Sequence, residues 1–260
     1  MKKQPVPWGQ PVPADRLGEK ILWCLHGNLQ HPTVWNGVVQ TLGSGNVEIR
    51  LVNLWETLDS SCWNWAQKFC CNLLAGKAQN SQHYLLGYSL GGRLGLHALI
   101  SAPELWSGAV IVSADPGLSD QLKREEGLRR DRIWANRFLT EPWDDLLAEW
   151  DDLPVFCHRP CPTPRSEADF DRQKIARAFE VYSKGRMDDL RSQITNLPIP
   201  ITYVTGEADH RYRQIGTDLA AQSSNIRHIN IHNAGHRVPW EQPAAFLNIL
   251  TRVLDAPTHP

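Results

Sequence analysis

A serine set between glycines is the residue pattern in this chain with the clearest chemistry. The run His83-Tyr84-Leu85-Leu86-Gly87-Tyr88-Ser89-Leu90-Gly91-Gly92-Arg93 carries Gly-x-Ser-x-Gly directly after a strand-like stretch and directly before a helix-like one. A strand-to-helix turn this sharp strains its central residue and brings backbones together. The flanking glycines relieve the crowding, and Ser89 stands exposed at a helix N-terminus. A serine hydroxyl is a weak nucleophile and a weak base until an imidazole accepts its proton. If the order serine, acid, histidine holds, that imidazole comes late in the chain. His236 fits, in the turn-rich Asn233-Ala234-Gly235-His236-Arg237-Val238-Pro239 that follows a strand-like run. His228 and His232 fall within or at the end of that run, and no loop presents His210 in the same way.

The imidazole needs a carboxylate to fix its tautomer and stabilise its cation. Asp209 is the first choice, just past a strand running into the glycine turn Gly206-Glu207-Ala208-Asp209; Glu207 is the rival and Asp115 a second alternative one strand earlier. An oxyanion hole requires two backbone N–H groups aimed where negative charge develops. Leu90, after the serine, supplies one; Asn28 is the choice for the other, with Leu29 the alternative, in the loop after Trp23-Cys24-Leu25-His26-Gly27. His26 itself is read as ordering that loop. Arg93 stands four residues after Ser89, one turn along on the same helix face, where a guanidinium suits a substrate carboxylate or, alternatively, an interhelix salt bridge.

These residues must be positioned by an alternating framework. Short β-branched or aromatic runs recur near residues 20–26, 47–53, 83–88, 108–114, 199–205 and 226–231. Helical spacing occupies about 61–76, 89–101, 210–222 and 242–254 between and after them. That order predicts an α/β fold with a mostly parallel central sheet flanked by helices. Between Ala114 and Ile199 no strand is found, only charged, Trp-bearing helical pieces such as Leu122–Leu139 and Trp143–Trp150, and a proline-dense loop over Arg159–Pro164. Residues 1–117 and 198–260 are therefore read as the two parts of the core, and 118–197 as a helical lid insertion over the carboxyl ends of the strands.

Composition narrows the classes. The 260 residues, 42% of them hydrophobic, suffice for one sizeable core, and 27 Lys plus Arg against 28 Asp plus Glu leave a net charge of -1. There is no broad positive field for nucleic acid. No apolar run approaches the roughly 18 residues of a membrane span. Met1-Lys2-Lys3 is followed by Pro5, Pro7, Pro11 and Pro13 where a signal peptide needs an apolar stretch, so a cytoplasmic location and a monomer are expected. The six cysteines match no disulfide framework and are read as reduced core thiols; Cys157-His158-Arg159-Pro160-Cys161 offers three metal ligands without a second pair, so neither metal nor cofactor is expected.

From Lys20 to Leu254 the chain resembles the α/β-hydrolase superfamily. Within it the chain is similar to the 2-succinyl-6-hydroxy-2,4-cyclohexadiene-1-carboxylate synthase family of menaquinone and phylloquinone biosynthesis. Gly87 to Arg93 carries the likeness, with the lid wording Arg132-x-x-Trp134, Arg137-Phe138-Leu139-Thr140-Glu141-Pro142, Trp150 and Pro154-Val155-Phe156, then Gly206-Glu207-x-Asp209-x-x-Tyr212 and Ala234-Gly235-His236. The resemblance implies a lyase that uses the triad as a general base to expel pyruvate from a succinyl-isochorismate adduct. It also implies substrate contacts at Tyr88, Arg93 and Trp150, with Arg129 and Arg177 as counterparts of two further lid arginines. Two departures stand out: Asn53-Leu54-Trp55-Glu56-Thr57 replaces a glycine-histidine loop common among relatives, and Asp151 follows Trp150 where an aromatic residue is expected. The same triad would serve a serine carboxylesterase or thioesterase through a Ser89 acyl-enzyme, and a non-enzymatic binding module is a third reading.

Overall fold

The computed structural model describes residues 20–43, 46–75 and 81–256. The proline-bearing start of the chain, on which the signal-peptide reading rests, lies outside them. Six parallel strands, β1 (Lys20–Leu25), β2 (Val47–Val52), β3 (Gln82–Tyr88), β4 (Trp106–Val112), β5 (Ile201–Gly206) and β6 (Ile226–Ile231), line up in the order β2-β1-β3-β4-β5-β6. The order reverses between β1 and β3, so a crevice opens beyond their carboxyl ends. Among the described residues no helix is long and apolar enough to cross a membrane.

Alternation along the strands builds a core on each face. On one face Ile21, Trp23, Leu25 and Leu85 pack under α2 (Cys62–Ala75) and α3 (Leu90–Ser101). Leu22, Cys24, Tyr84 and Leu86 point the other way, against α10 (Pro243–Asp255) through Phe246, Leu250 and Leu254. A strand buried on both sides reads as a continuous apolar run, which is why these strands show little polar alternation. The short helix α1 (Asn36–Leu42) lacks the apolar periodicity that would announce it, and buries only Val38.

Between the adjacent strands β4 and β5 run α4 (Gln121–Thr140), α5 (Trp143–Asp151), α6 (Arg172–Val181) and the short α7 (Arg191–Thr195). Aromatic packing joins the first three: Phe138 stacks on Phe179 at 5.6 Å and Trp134 meets Trp150 edge-on at 5.2 Å. Arg137 reaches Glu141 and Glu149 and ties α4 to α5. Helix α6 was not expected individually. Its sequence shows helical periodicity only through Ile175, Ala176, Ala178 and Phe179, after an Asp171 side chain that caps Gln173 and Lys174.

The cysteine reading needs correction. Cys24, Cys62 and Cys70 are buried thiols, but Cys71 is exposed and Cys157 and Cys161 are half-buried in the segment between α5 and α6. Phe69 and Cys70 already span the buried face of α2, and a further rotation of about 100° turns Cys71 out of it. Cys157 donates to the Ala208 carbonyl and Cys161 lies against Thr163, so the two do not form a shared ligand set.

A close approach of backbones lies where α3 starts. A Cβ on Gly91 would sit 2.3 Å from the Leu25 carbonyl oxygen and 2.5 Å from that of His26, both immobile backbone. Gly91→Ala should therefore lower the free energy of unfolding by roughly 1–3 kcal/mol or more, measured by urea titration. An alanine variant of wild-type stability would show that α3 does not need this approach to β1.

Candidate active site

Ser89 joins β3 to α3 with φ of 51°, a left-handed conformation rare for a residue with a side chain. It is held there from both sides, its N–H donating to the Val112 carbonyl and its own carbonyl accepting from Arg93. The turn after β6 carries His236, and the turn after β5 carries Asp209; the two side chains are 3% and 4% exposed. His236 Nδ1 donates to Asp209 Oδ2 at 2.7 Å, which leaves Nε2 to face the Ser89 hydroxyl at 3.2 Å. Three strand ends thus bring residues 120 and 147 positions away from Ser89 into one hydrogen-bonded line. The rings of Tyr212 and Phe156 lie 4.8 Å and 5.6 Å from the imidazole and enclose it.

The rival carboxylates are occupied elsewhere. Glu207 pairs with His232 at 2.7 Å and accepts from the Asn233 N–H, and that backbone hydrogen bond comes first among the causes holding its carboxyl below the usual range. Asp115 is buried and paired with Arg211 at 2.7 Å and with Lys184 at 3.6 Å. Among the other histidines, His228 meets the Thr205 hydroxyl within the sheet, and His210 is an exposed residue at the cavity wall. His26 orders its loop: Nδ1 donates to the Gly27 carbonyl and Nε2 accepts from the Leu54 N–H. Complete burial lowers its pKa to about 3, so it stays neutral.

Ser89 and His236 open into a cavity of about 530 Å³ between the strand ends and the lid. Asn28 and Leu90 are at its floor, and the Asn28 side-chain oxygen is buried without a hydrogen-bond partner. Leu29, the alternative donor, is buried with φ of 51°. Trp134, Trp150, Phe156 and Phe179 make an aromatic wall. Arg93, Arg130, Lys184 and Arg211 make a cationic one; among the described residues the lining carboxylates are Asp131, 3.5 Å from Arg130, and Asp209. Burial, followed by nearby charge, acts on Lys184: desolvation and the neighbouring Arg211, Arg93 and Arg130 outweigh Asp115 and pull its pKa down to about 8.

Several expected contacts fall elsewhere. Arg129 and Arg177 are exposed and do not line the cavity. Arg130, four residues before Trp134, shares its inward helix face, whereas Arg129 is rotated about 100° away. That i, i+4 spacing was the available signal. Arg177 lies between the buried Ala176 and Ala178 but points outward from α6. Tyr88 is outside the main cavity; its ring packs against Trp240 at 4.9 Å and backs His236 at 5.5 Å. Its position just before the serine put it at the strand end, but period-two alternation turns it to the opposite face of the sheet. Among the described residues Arg93 forms no interhelix ion pair; its guanidinium donates to the Tyr182 carbonyl and lies 3.5 Å from the Met187 sulfur. Lys184 sits in a short turn whose sequence carries no periodicity, and no sequence signal marks it. Arg211 follows Asp209 by two residues at the start of α8 (His210–Gln222).

Comparison with known proteins agrees with the fold. Residues 24–249 match the Alpha/beta hydrolase family. The chain is 33% identical over 175 residues, 66% of its length and 68% of the relative's, to a 2-succinyl-6-hydroxy-2,4-cyclohexadiene-1-carboxylate synthase of Escherichia coli O1:K1 / APEC. It is 33% identical over 182 residues, 68% of its length and 69% of the relative's, to the protein of that name from Serratia proteamaculans (strain 568). In fold it is similar to the structure of MenH from S. aureus, with a TM-score of 0.84 at 20% identity covering 96% of this chain and 98% of that one. On the family match and these relatives, the chain belongs to the alpha/beta hydrolase family.

Proposed function

We propose that this enzyme eliminates pyruvate from a succinyl-isochorismate adduct to give 2-succinyl-6-hydroxy-2,4-cyclohexadiene-1-carboxylate, as a cytoplasmic step of menaquinone or phylloquinone biosynthesis. The observation that carries this reading is the cationic wall: Arg93, Arg130, Lys184 and Arg211 share the cavity with Ser89 and His236. Cations gathered in a partly desolvated cavity suit a polycarboxylate and give nothing to a neutral acyl chain. The relatives' printed name supports the same reading.

In this mechanism the Ser89–His236–Asp209 line acts as a base and forms no acyl-enzyme. Asp209 holds the imidazole in the tautomer whose Nε2 accepts a proton. A proton leaves the ring carbon beside the succinyl carbonyl, and the backbone N–H groups of Leu90 and the Asn28 loop steady the enolate-like oxygen. The electron pair moves into the ring as a conjugated diene, the C–O bond to the three-carbon leaving group breaks with its electron pair on oxygen, and the released enolate gains a proton on carbon to become pyruvate. Arg93 and, in place of Arg129 and Arg177, Arg130, Lys184 and Arg211 hold the carboxylates.

The second reading, a carboxylesterase or thioesterase, draws on the aromatic wall of Trp134, Trp150, Phe156 and Phe179. Catalytic efficiency measured on the adduct, by pyruvate release, and on short p-nitrophenyl esters separates the two. The adduct should be preferred by orders of magnitude; faster turnover of the esters would sink the lyase reading.

Removing the charge-assisted contact in Arg93→Ala should cost at least about tenfold on the adduct. The neutral ester should lose far less. Equal losses on both substrates would mean that Arg93 serves only the Tyr182 carbonyl it bonds. Lys184 adds a pH signature. Its charge is present below a pKa of about 8 and lost above it, so KM for the adduct should rise as pH climbs through that value. In Lys184→Arg, which stays charged, the rise should vanish; a persistent rise would assign the effect to another group.

A further inference from the structure

The turn that carries His236 is gripped by one carboxylate that the proposed mechanism does not use. Glu241 lies in α9 (Val238–Glu241), with its side chain 10% exposed. Its Oε2 accepts from the Gly235 N–H at 2.7 Å and its Oε1 from the Arg237 N–H at 2.9 Å. Those are the two residues flanking His236. A carboxylate that accepts from the N–H groups on either side of His236 fixes the path of the chain between them, and with it the root of the imidazole.

The same turn is tied to the lid. Arg159, from the loop after α5, donates to Glu241 Oε2 at 2.8 Å and to the Asn233 carbonyl at 2.9 Å. Arg237 returns the contact: it donates to the Arg159 carbonyl at 2.9 Å and to Asp151, whose other oxygen takes Arg165. Its guanidinium lies 3.8 Å over the ring of Phe156, which in turn stands against His236. Arg237 and Arg165 are 3% and 7% exposed, so their charges depend on Asp151. Asp151 is the residue that stands where an aromatic side chain was expected from the resemblance.

We propose that Glu241 and Arg237 are positioning residues: Glu241 sets the orientation of His236 toward Ser89, and Arg237, through Asp151, makes that orientation depend on the lid being seated. The proposal rests on His236 serving as the base for Ser89. It asks nothing of the substrate's identity.

A fluorophosphonate probe reads the geometry directly. Ser89 Oγ bonds to phosphorus, the P–F bond breaks with loss of fluoride, and His236 takes the hydroxyl proton. The rate of labelling is compared in the full-length protein well below the unfolding temperature, with circular dichroism checking the fold. Glu241→Gln can accept only one of the two N–H groups. It should slow labelling by roughly ten- to a hundredfold, the scale expected of a base displaced by about 1 Å, and lower kcat on the adduct to match while KM stays within about twofold. Asp151→Asn should slow labelling and raise KM, since the lid loses its tie. Glu207→Gln, which alters the carboxylate on Asn233 away from His236, should label at the wild-type rate.

Wild-type labelling by folded Glu241→Gln, or an equal slowing in Glu207→Gln, would overturn the proposal. If Glu241→Gln does not fold, Arg237→Lys decides the matter: it keeps a charge on Asp151 but loses the planar contact with Phe156, and wild-type labelling there is equally fatal. A wild-type protein that releases pyruvate yet resists the probe would instead strike the Ser89 reading, and the kcat of Glu241→Gln then decides for or against the positioning role.

Discussion

Everything at this site depends on how closely the start of α3 approaches the end of β1. Ser89 can occupy its left-handed turn only because Gly91 lets the helix backbone meet the carbonyls of Leu25 and His26, with Gly87 and Gly92 closing the other side. A strained non-glycine residue costs on the order of 1–3 kcal/mol and persists only where its surroundings over-determine it. Here they do: strand β4 supplies the acceptor for the Ser89 N–H, and α3 uses the Ser89 carbonyl for its first turn. The hydroxyl is therefore aimed by the sheet itself, before any substrate is present.

A second constraint is electrostatic. Asp115 is buried at the end of β4, yet two cations, Lys184 and Arg211, converge on it. One carboxylate cannot neutralise two such groups with Arg93 and Arg130 also nearby; burial first, and then these neighbouring cations, lower the pKa of Lys184. A cavity carrying unbalanced positive charge is poorly solvated when empty and gains when an anion enters. On the opposite side of the imidazole each of three arginines, Arg159, Arg165 and Arg237, is paired with one of two carboxylates, Glu241 and Asp151. The first cluster is suited to binding, the second to holding structure together.

The lid joins these two regions. Its inner face is aromatic where α4, α5 and α6 meet, and polar where its loops descend to the strand ends. The apolar part follows from helical periodicity; the polar part comes from loop residues whose partners are more than 70 positions away in sequence.

How much of this was legible in the sequence follows from the range of each interaction. The six strands, the helices after them and the serine turn are written in local patterns: apolar runs, glycine spacing and a helix-like stretch after Ser89. Asp209 and His236 were legible because they sit just past strand ends, and parallel strands deliver their carboxyl ends to one rim. The choice of Asp209 over Glu207 was a preference until the structure put Glu207 on His232 and Asp209 on the imidazole. Arg129 and Arg177 looked like substrate ligands by type and approximate place. Which residue of a helix faces a cavity is decided by a rotation of about 100° per residue, and Arg130, not Arg129, lines it. Lys184, Arg237 and Glu241 could not be found from the string at all. Each matters through what surrounds it, and a side chain's surroundings in a compact fold are set by distant segments that only tertiary packing brings together.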